Sequence, residues 1–170
     1  AAEFRDLVTE TAALAAELDR LFTIGVRPTR PETGFGYIRV GERISRTPEA
    51  YEVADFVEKP DRDTAREYLT REGYFWNSGI FVWRVRTLLA QLEQYTPELA
   101  PLLPLLEADG PGPFFERAPV LSIDEGLLET SPNVAVVPAS FDWDDIGSWD
   151  AVGRRRAADE QGNVIVGDVH

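Results

Sequence analysis

The sequence has no cysteine and no methionine, and its only histidine is the terminal His170. Disulfides and thiolate metal sites are therefore excluded, and so in effect is nucleophilic catalysis by Cys-His or Ser-His-Asp groups. Lysine is nearly absent too: Lys59 is the single lysine among 17 basic residues, where arginine supplies every other positive charge. Basic charge as a whole is short, because 30 acidic residues leave a net charge of −13 spread along the chain rather than gathered in a tail. That balance opposes binding to nucleic-acid phosphates or to an anionic membrane. No apolar run approaches the roughly 20 residues that cross a bilayer, and the start lacks a charged-then-apolar secretion signal. A cytoplasmic location is the resulting expectation. The first residue is Ala1 rather than methionine, as expected of a trimmed or partial chain.

What is present supports a packed core. The 170 residues are 44% hydrophobic, enough for one domain that removes about two-thirds of its unfolded surface from water. Phe4, Leu7, Val8, Thr11, Leu14, Ala15 and Leu18 recur at helical spacing and predict a helix over 3–20. Extended character follows at 22–26, 35–40, 51–57, 75–85 and 134–137. Helices are predicted at 61–72, capped by Asp61, at 86–95, at 97–108 and from Ser148 onward; Ser122-Ile123-Asp124-Glu125 reads as a capping box opening a short helix. Residues 109–113, with two glycines and two prolines, read as a loop, and Val164 starts a further extended segment. Strands separated by helices imply an α/β layered fold with a mostly parallel or mixed sheet.

Four segments place polar residues at expected strand ends. Lys59 lies in Phe56-Val57-Glu58-Lys59-Pro60, where open α/β sheets cluster their ligand sites. Its ammonium is a compact point charge suited to a crowded phosphate, and Glu58 can accept from two neighbouring sugar hydroxyls; a surface ion pair is the plain alternative. In Thr33-Gly34-Phe35-Gly36-Tyr37 the two glycines either admit a ligand close to the backbone or make an ordinary turn. Asn77-Ser78-Gly79 puts an amide inside an apolar strand, where Asn77 either bonds nearby backbone or reads a hydroxyl-rich ligand. Asp142, Asp144 and Asp145 lie within four residues beside a predicted helix start. Such acids suit magnesium held with phosphate oxygens, or else favour the helix N-terminus electrostatically.

Together and in this order, these segments resemble the mannose-1-phosphate guanylyltransferases, within the sugar-phosphate nucleotidyltransferases. The Glu-Lys-Pro piece is shared with relatives that handle glucose 1-phosphate; the Pro28–Gly34 stretch and the Gly147-Ser148-Trp149 ending are the more specific for mannose. The resemblance implies a Rossmann-like, GT-A-like mixed sheet flanked by helices. Residues 1–160 would be the sugar-phosphate-binding half of the domain, and 161–170 the start of a C-terminal β-helical segment. It implies transfer of a guanylyl group from GTP to mannose 1-phosphate, giving GDP-mannose and pyrophosphate with magnesium as cofactor, and it is compatible with a homodimer. Lys59 and Asp145 would be catalytic, with Asp145 the metal ligand. Thr33, Gly36, Tyr37, Glu58, Lys59, Asn77 and Ser78 would bind substrate. The family's glycine-rich nucleotide loop and early metal-binding aspartate have no counterpart among these residues. The chain alone is thus expected to be inactive and to expose the edge of a half-sheet. A glucose-1-phosphate nucleotidyltransferase and a non-catalytic sugar-phosphate-binding module are the alternative readings.

Overall fold

The computed structural model describes residues 2–147, 149–154 and 156–165. Its strands are β1 (Leu21–Val26), β2 (Tyr37–Arg46), β3 (Glu49–Val57), β4 (Tyr74–Val82) and β5 (Val134–Pro138). Its α-helices are α1 (Ala2–Leu18), α2 (Arg62–Thr70), α3 (Val85–Tyr95), α4 (Leu103–Ala108), α5 (Pro111–Arg117) and α6 (Trp149–Arg154), with a 3-10 turn at Ala100–Leu102 and a π-helical turn at Asp124–Leu128. Among the described residues no helix is long and apolar enough to cross a membrane.

The helical periodicity of the first segment becomes one buried face: Leu7, Thr11, Leu14 and Ala15 of α1 are buried. Leu7, Leu14 and Ala15 join Phe22 and Ile24 of β1 and Ala135 and Val137 of β5 in one apolar cluster. Side chains alternate across a strand, so Leu21, Val134 and Val136 fall on the opposite face. There they meet Ile38, Phe56, Phe75, Leu127 and Leu128, with Leu88 and Leu92 of α3 packed alongside. All six residues of β1 are buried, as a strand covered on both faces requires.

The strand order β1-β4-β2-β3-β5 closes on itself, β3 bonding β5 through Tyr51–Val136 and Glu52–Ala135. β1 and β5 run parallel and the other neighbours antiparallel, so the sheet is mixed, with helices on both faces. The expected free edge is absent from the ladder of the described strands. Closure follows from three register shifts along the β2–β3 hairpin; such irregularities bend and twist a strand pair, here enough to carry Tyr51 to β5.

Three local expectations are corrected. β2 runs on to Arg46, because a solvent-facing hairpin arm carries the polar residues that read as its end. Residues 109–113 are not all loop. Pro111 opens α5 from a position where its missing N–H costs nothing, after Gly110 at φ 80°. The helix expected from 97 to 108 is a 3-10 turn followed by the short α4, each with a proline in its first two positions. Asp61 does cap α2, accepting from the N–H groups of Asp63 at 3.0 Å and Thr64 at 2.8 Å. Ser148 and residues 166–170 lie outside the described residues, and 161–165 form no strand.

Tight packing of β1 gives a direct test. A Cβ on Gly25 would come within 2.6 Å of Val136 Cγ2 and 3.0 Å of Phe75 Cβ. Gly25→Ala should therefore destabilise the chain by about 1–3 kcal/mol in urea unfolding, and an unchanged midpoint would show that β1 packs less closely.

Candidate functional site

β2 lies between β3 and β4, and its first residue, Tyr37, pairs with Val57 on one side and Trp76 on the other. Carrying both antiparallel registers back one residue sets Gly36 between Glu58 and Asn77. The N–H of Asn77 donates to the Gly36 carbonyl at 2.8 Å. A Cβ on Gly36 would stand 2.5 Å from Glu58 Oε2 and 3.4 Å from Asn77 Cβ. Glycine thus lets a carboxylate lie against the start of the strand.

A cleft of about 410 Å³ opens at this point, lined among others by Gly36, Glu58, Asn77, Ser78, Asp124 and Asp145. All of these except Asp124 were expected from the sequence, and strand register and loop packing bring their separate segments together. Lys59 joins through its neighbour: its Nζ lies 2.7 Å from Glu58 Oε1, with the lysine side chain 62% exposed and the glutamate 13%. The Glu58 carboxylate raises the Lys59 ammonium above its ordinary range. Lys59 also holds φ at 46°, a left-handed conformation that costs a non-glycine residue of order 1 kcal/mol and clusters at functional sites. Thr33 is exposed beside the cleft-lining Gly34. Tyr37 is buried in the core, and its hydroxyl accepts from the Glu32 N–H at 3.0 Å.

Asn77 bonds side chains as well as backbone. Its Oδ1 accepts from Thr23 Oγ1 at 2.8 Å and from the Gly79 N–H at 3.3 Å, while its Nδ2 donates to Asp124 Oδ1 at 2.8 Å. These bonds pin the amide in one orientation and leave one of its two N–H donors for a ligand.

Asp124 was hidden in the sequence by the capping box that contains it. One arm of the box forms, the Glu125 N–H donating to Ser122 Oγ at 3.2 Å; in place of the other arm, Glu125 Oε2 accepts from the Ser122 hydroxyl at 3.2 Å. The turn it opens is π-helical, a form often found at functional sites, and Asp124 stands in the cleft. Burial raises the Asp124 carboxyl above its ordinary range and the charge of Glu58 raises it further, while the Asn77 amide opposes them.

The three acids at 142–145 divide. Asp144 is the structural one, with a side chain only 7% exposed. It accepts from Arg30 Nη2 at 3.1 Å and from Arg154 Nε at 3.0 Å and Nη2 at 3.2 Å. Arg30 in turn lies over the rings of Trp76 at 4.9 Å and Phe35 at 5.7 Å, and Phe35 meets Trp143 edge-on at 5.4 Å. This clamp holds the segment against the strands and leaves Asp145 exposed in the cleft. Asp142 is exposed as well. Among the described residues no group of three or more acids or histidines could by itself hold a metal. An exposed Asp145 carboxylate facing the same space as Glu58 and Asp124 does fit magnesium, which takes one or two carboxylates and completes its shell with water and phosphate oxygens.

The profile of the family described as Nucleotidyl transferase matches residues 1–162, and the chain belongs to that family. Over 169 residues it is 37% identical to a mannose-1-phosphate guanylyltransferase of Sinorhizobium fredii, covering 94% of this chain and 32% of that protein. It is 38% identical over 177 residues to a mannose-1-phosphate guanylyltransferase of Klebsiella pneumoniae, covering 97% and 37%. The crystal structure of a protein described as mannose-1-phosphate geranyltransferase from Thermus thermophilus superposes with a TM-score of 0.77 at 37% identity, over 88% of this chain and 43% of that one. The chain spans about a third of the length of the curated relatives it matches.

The arginine clamp predicts a pH dependence. Arg154, and after it Arg30, hold the Asp144 carboxyl below its ordinary range against the opposing effect of burial. A carboxyl depressed in the fold contributes stability that is complete above its unfolded pKa of about 3.9 and is lost as pH falls through the lower folded value. Asp144→Asn should be less stable than the unchanged chain by about 1.5–3 kcal/mol near neutrality, and the two unfolding curves should converge as the pH drops below about 4. A constant difference down to low pH would contradict the ionised clamp.

Proposed function

We propose that this chain forms the sugar-phosphate side of a mannose-1-phosphate guanylyltransferase, which moves a guanylyl group from GTP to mannose 1-phosphate and releases pyrophosphate. Relatives bearing that name support the reaction. The observation that carries the assignment of roles is the Glu58–Lys59 pair: a sheltered carboxylate at the cleft and, bonded to it, the chain's only lysine ammonium reaching into solvent. That pairing suits a ligand with hydroxyls at one end and a phosphate at the other.

In the proposed reaction a phosphate oxygen of mannose 1-phosphate attacks the α-phosphorus of GTP. A phosphorus–oxygen bond forms to the sugar phosphate as the bond to the departing pyrophosphate breaks, giving GDP-mannose. The nucleophile is already an anion, so no protein base is required, and catalysis reduces to positioning and charge neutralisation. This accords with a site built without histidine or cysteine. Lys59 neutralises the sugar phosphate, Glu58 accepts from ring hydroxyls, and the free N–H of Asn77 with the Ser78 hydroxyl completes the polar wall. Gly36 keeps the wall low enough for the sugar to reach it, with Thr33 exposed beside it, while the buried Tyr37 anchors the strand start rather than touching the sugar. Asp145 would hold magnesium, which when bound supplies positive charge to the phosphates. On this reading residues 1–160 are the sugar-phosphate half of the domain, and 161–170 lead into a C-terminal segment.

Calorimetric titration of mannose 1-phosphate into the chain tests the assignment. Lys59→Ala should weaken binding by about 10- to 150-fold, corresponding to roughly 1.5–3 kcal/mol for a charge-assisted contact. Lys59→Arg should not restore it, since a planar fork does not replace a point charge beside Glu58. In an active full-length enzyme the same changes should raise the KM for sugar phosphate and leave that for GTP unmoved. Unchanged behaviour of the arginine variant would refute the role given to the ammonium.

A further inference from the structure

We infer that Asp124 is a second hydroxyl-reading carboxylate of this cleft, working with Glu58 to select a ligand that presents neighbouring ring hydroxyls. This rests on the sugar-phosphate reading and extends it to the residue that sets hydroxyl selectivity. Both carboxylates line the same cleft, and each is tethered by one cationic or amide side-chain donor: Glu58 Oε1 by Lys59 Nζ at 2.7 Å, Asp124 Oδ1 by Asn77 Nδ2 at 2.8 Å. A carboxylate offers about four acceptor positions; Lys59 fills one on Glu58, and Asn77 with the residue's own backbone N–H leaves about two on Asp124.

Orientation of Asn77 alone does not account for an acid here. Thr23 Oγ1 and the Gly79 N–H already fix the amide through its oxygen, and a neutral acceptor at position 124 would satisfy its nitrogen. An ionised side chain brought out of water beside Glu58 is costly, and that cost is offset when hydroxyl donors arrive. Two carboxylates on one wall match two adjacent hydroxyls of a pyranose, whereas Lys59 stands outside the wall for the phosphate. The ligand class is thus a hexose phosphate with a vicinal diol.

A cycle between residue and hydroxyl tests the inference on the full chain. Mannose 1-phosphate, its monodeoxy analogues and methyl phosphate, which has no ring hydroxyls, are titrated into the unchanged chain, Asp124→Ala and Asp124→Asn. In the unchanged chain at least one monodeoxy analogue should bind about tenfold or more weaker than mannose 1-phosphate, as loss of a charge-assisted hydrogen bond requires. That discrimination should shrink below about threefold in Asp124→Ala, with methyl phosphate affinity the same in both. Asp124→Asn, which keeps the shape and an acceptor for Asn77, should fold normally and lose discrimination by at least about threefold, and it decides the matter if the alanine variant does not fold. Full discrimination in the variants overturns the inference and leaves the sugar-phosphate reading standing. Failure of the unchanged chain to bind any of the sugar phosphates overturns both.

Discussion

The register of β2 between its two antiparallel neighbours is the constraint on which the site depends. Tyr37 is fixed by Val57 on one side and Trp76 on the other, so the residue before it must face Glu58 and Asn77 together. A slip of one residue on either side would turn the opposing side chains to the other face. The core enforces the pairing, since Ile38, Phe56 and Phe75 from the three strands share one buried cluster and Tyr37 and Trp76 share another. Hydrophobic burial thereby positions polar groups that have no attraction for one another. Glycine at 36 then admits the Glu58 carboxylate, which a Cβ there would displace.

Charge is sorted around that point by what each acid is bonded to. Asp144 is neutralised by two arginines and serves as an anchor, and the stack of Arg30 on Trp76 and Phe35 ties that anchor to the sheet. Glu58 holds the Lys59 ammonium, Asp124 holds the Asn77 amide and its own backbone N–H, and both keep acceptor capacity at the cleft. Asp145 stays exposed beside them. One wall therefore carries several acids and, just outside it, one ammonium. Such an arrangement disfavours a bare anion within the cleft and favours a ligand that brings hydroxyl donors, with a phosphate held at the rim.

Much of this was legible in the sequence, and the reasons differ by element. Helix α1 and strands β1, β3, β4 and β5 were readable because burial on one or two faces imposes a strong apolar pattern. The far arm of β2 was not, since an exposed hairpin arm carries polar residues that imitate a turn. Helix α5 was missed because Gly110, Pro111, Gly112 and Pro113 suggest loop composition, yet a proline in the first turn is compatible with a helix. Among the cleft residues, Glu58 and Gly36 stood out at strand ends and Asn77 inside an apolar strand, each with a plain alternative that the family resemblance outweighed. Asp124 did not, because a capping box explains an acid at that position without any ligand. Its proximity to Asn77 is a contact between residues 47 positions apart, which local pattern does not encode.

The most direct measurement follows backbone amide resonances of the chain during titration with mannose 1-phosphate. The account predicts that Gly36, Lys59, Asn77 and Asp124 shift together with one dissociation constant. Thr29, Ser140 and Arg154, which line the larger adjoining cavity of about 870 Å³, should remain in place. Saturable shifts confined to that second group, with Gly36 and Asn77 unmoved, would contradict it.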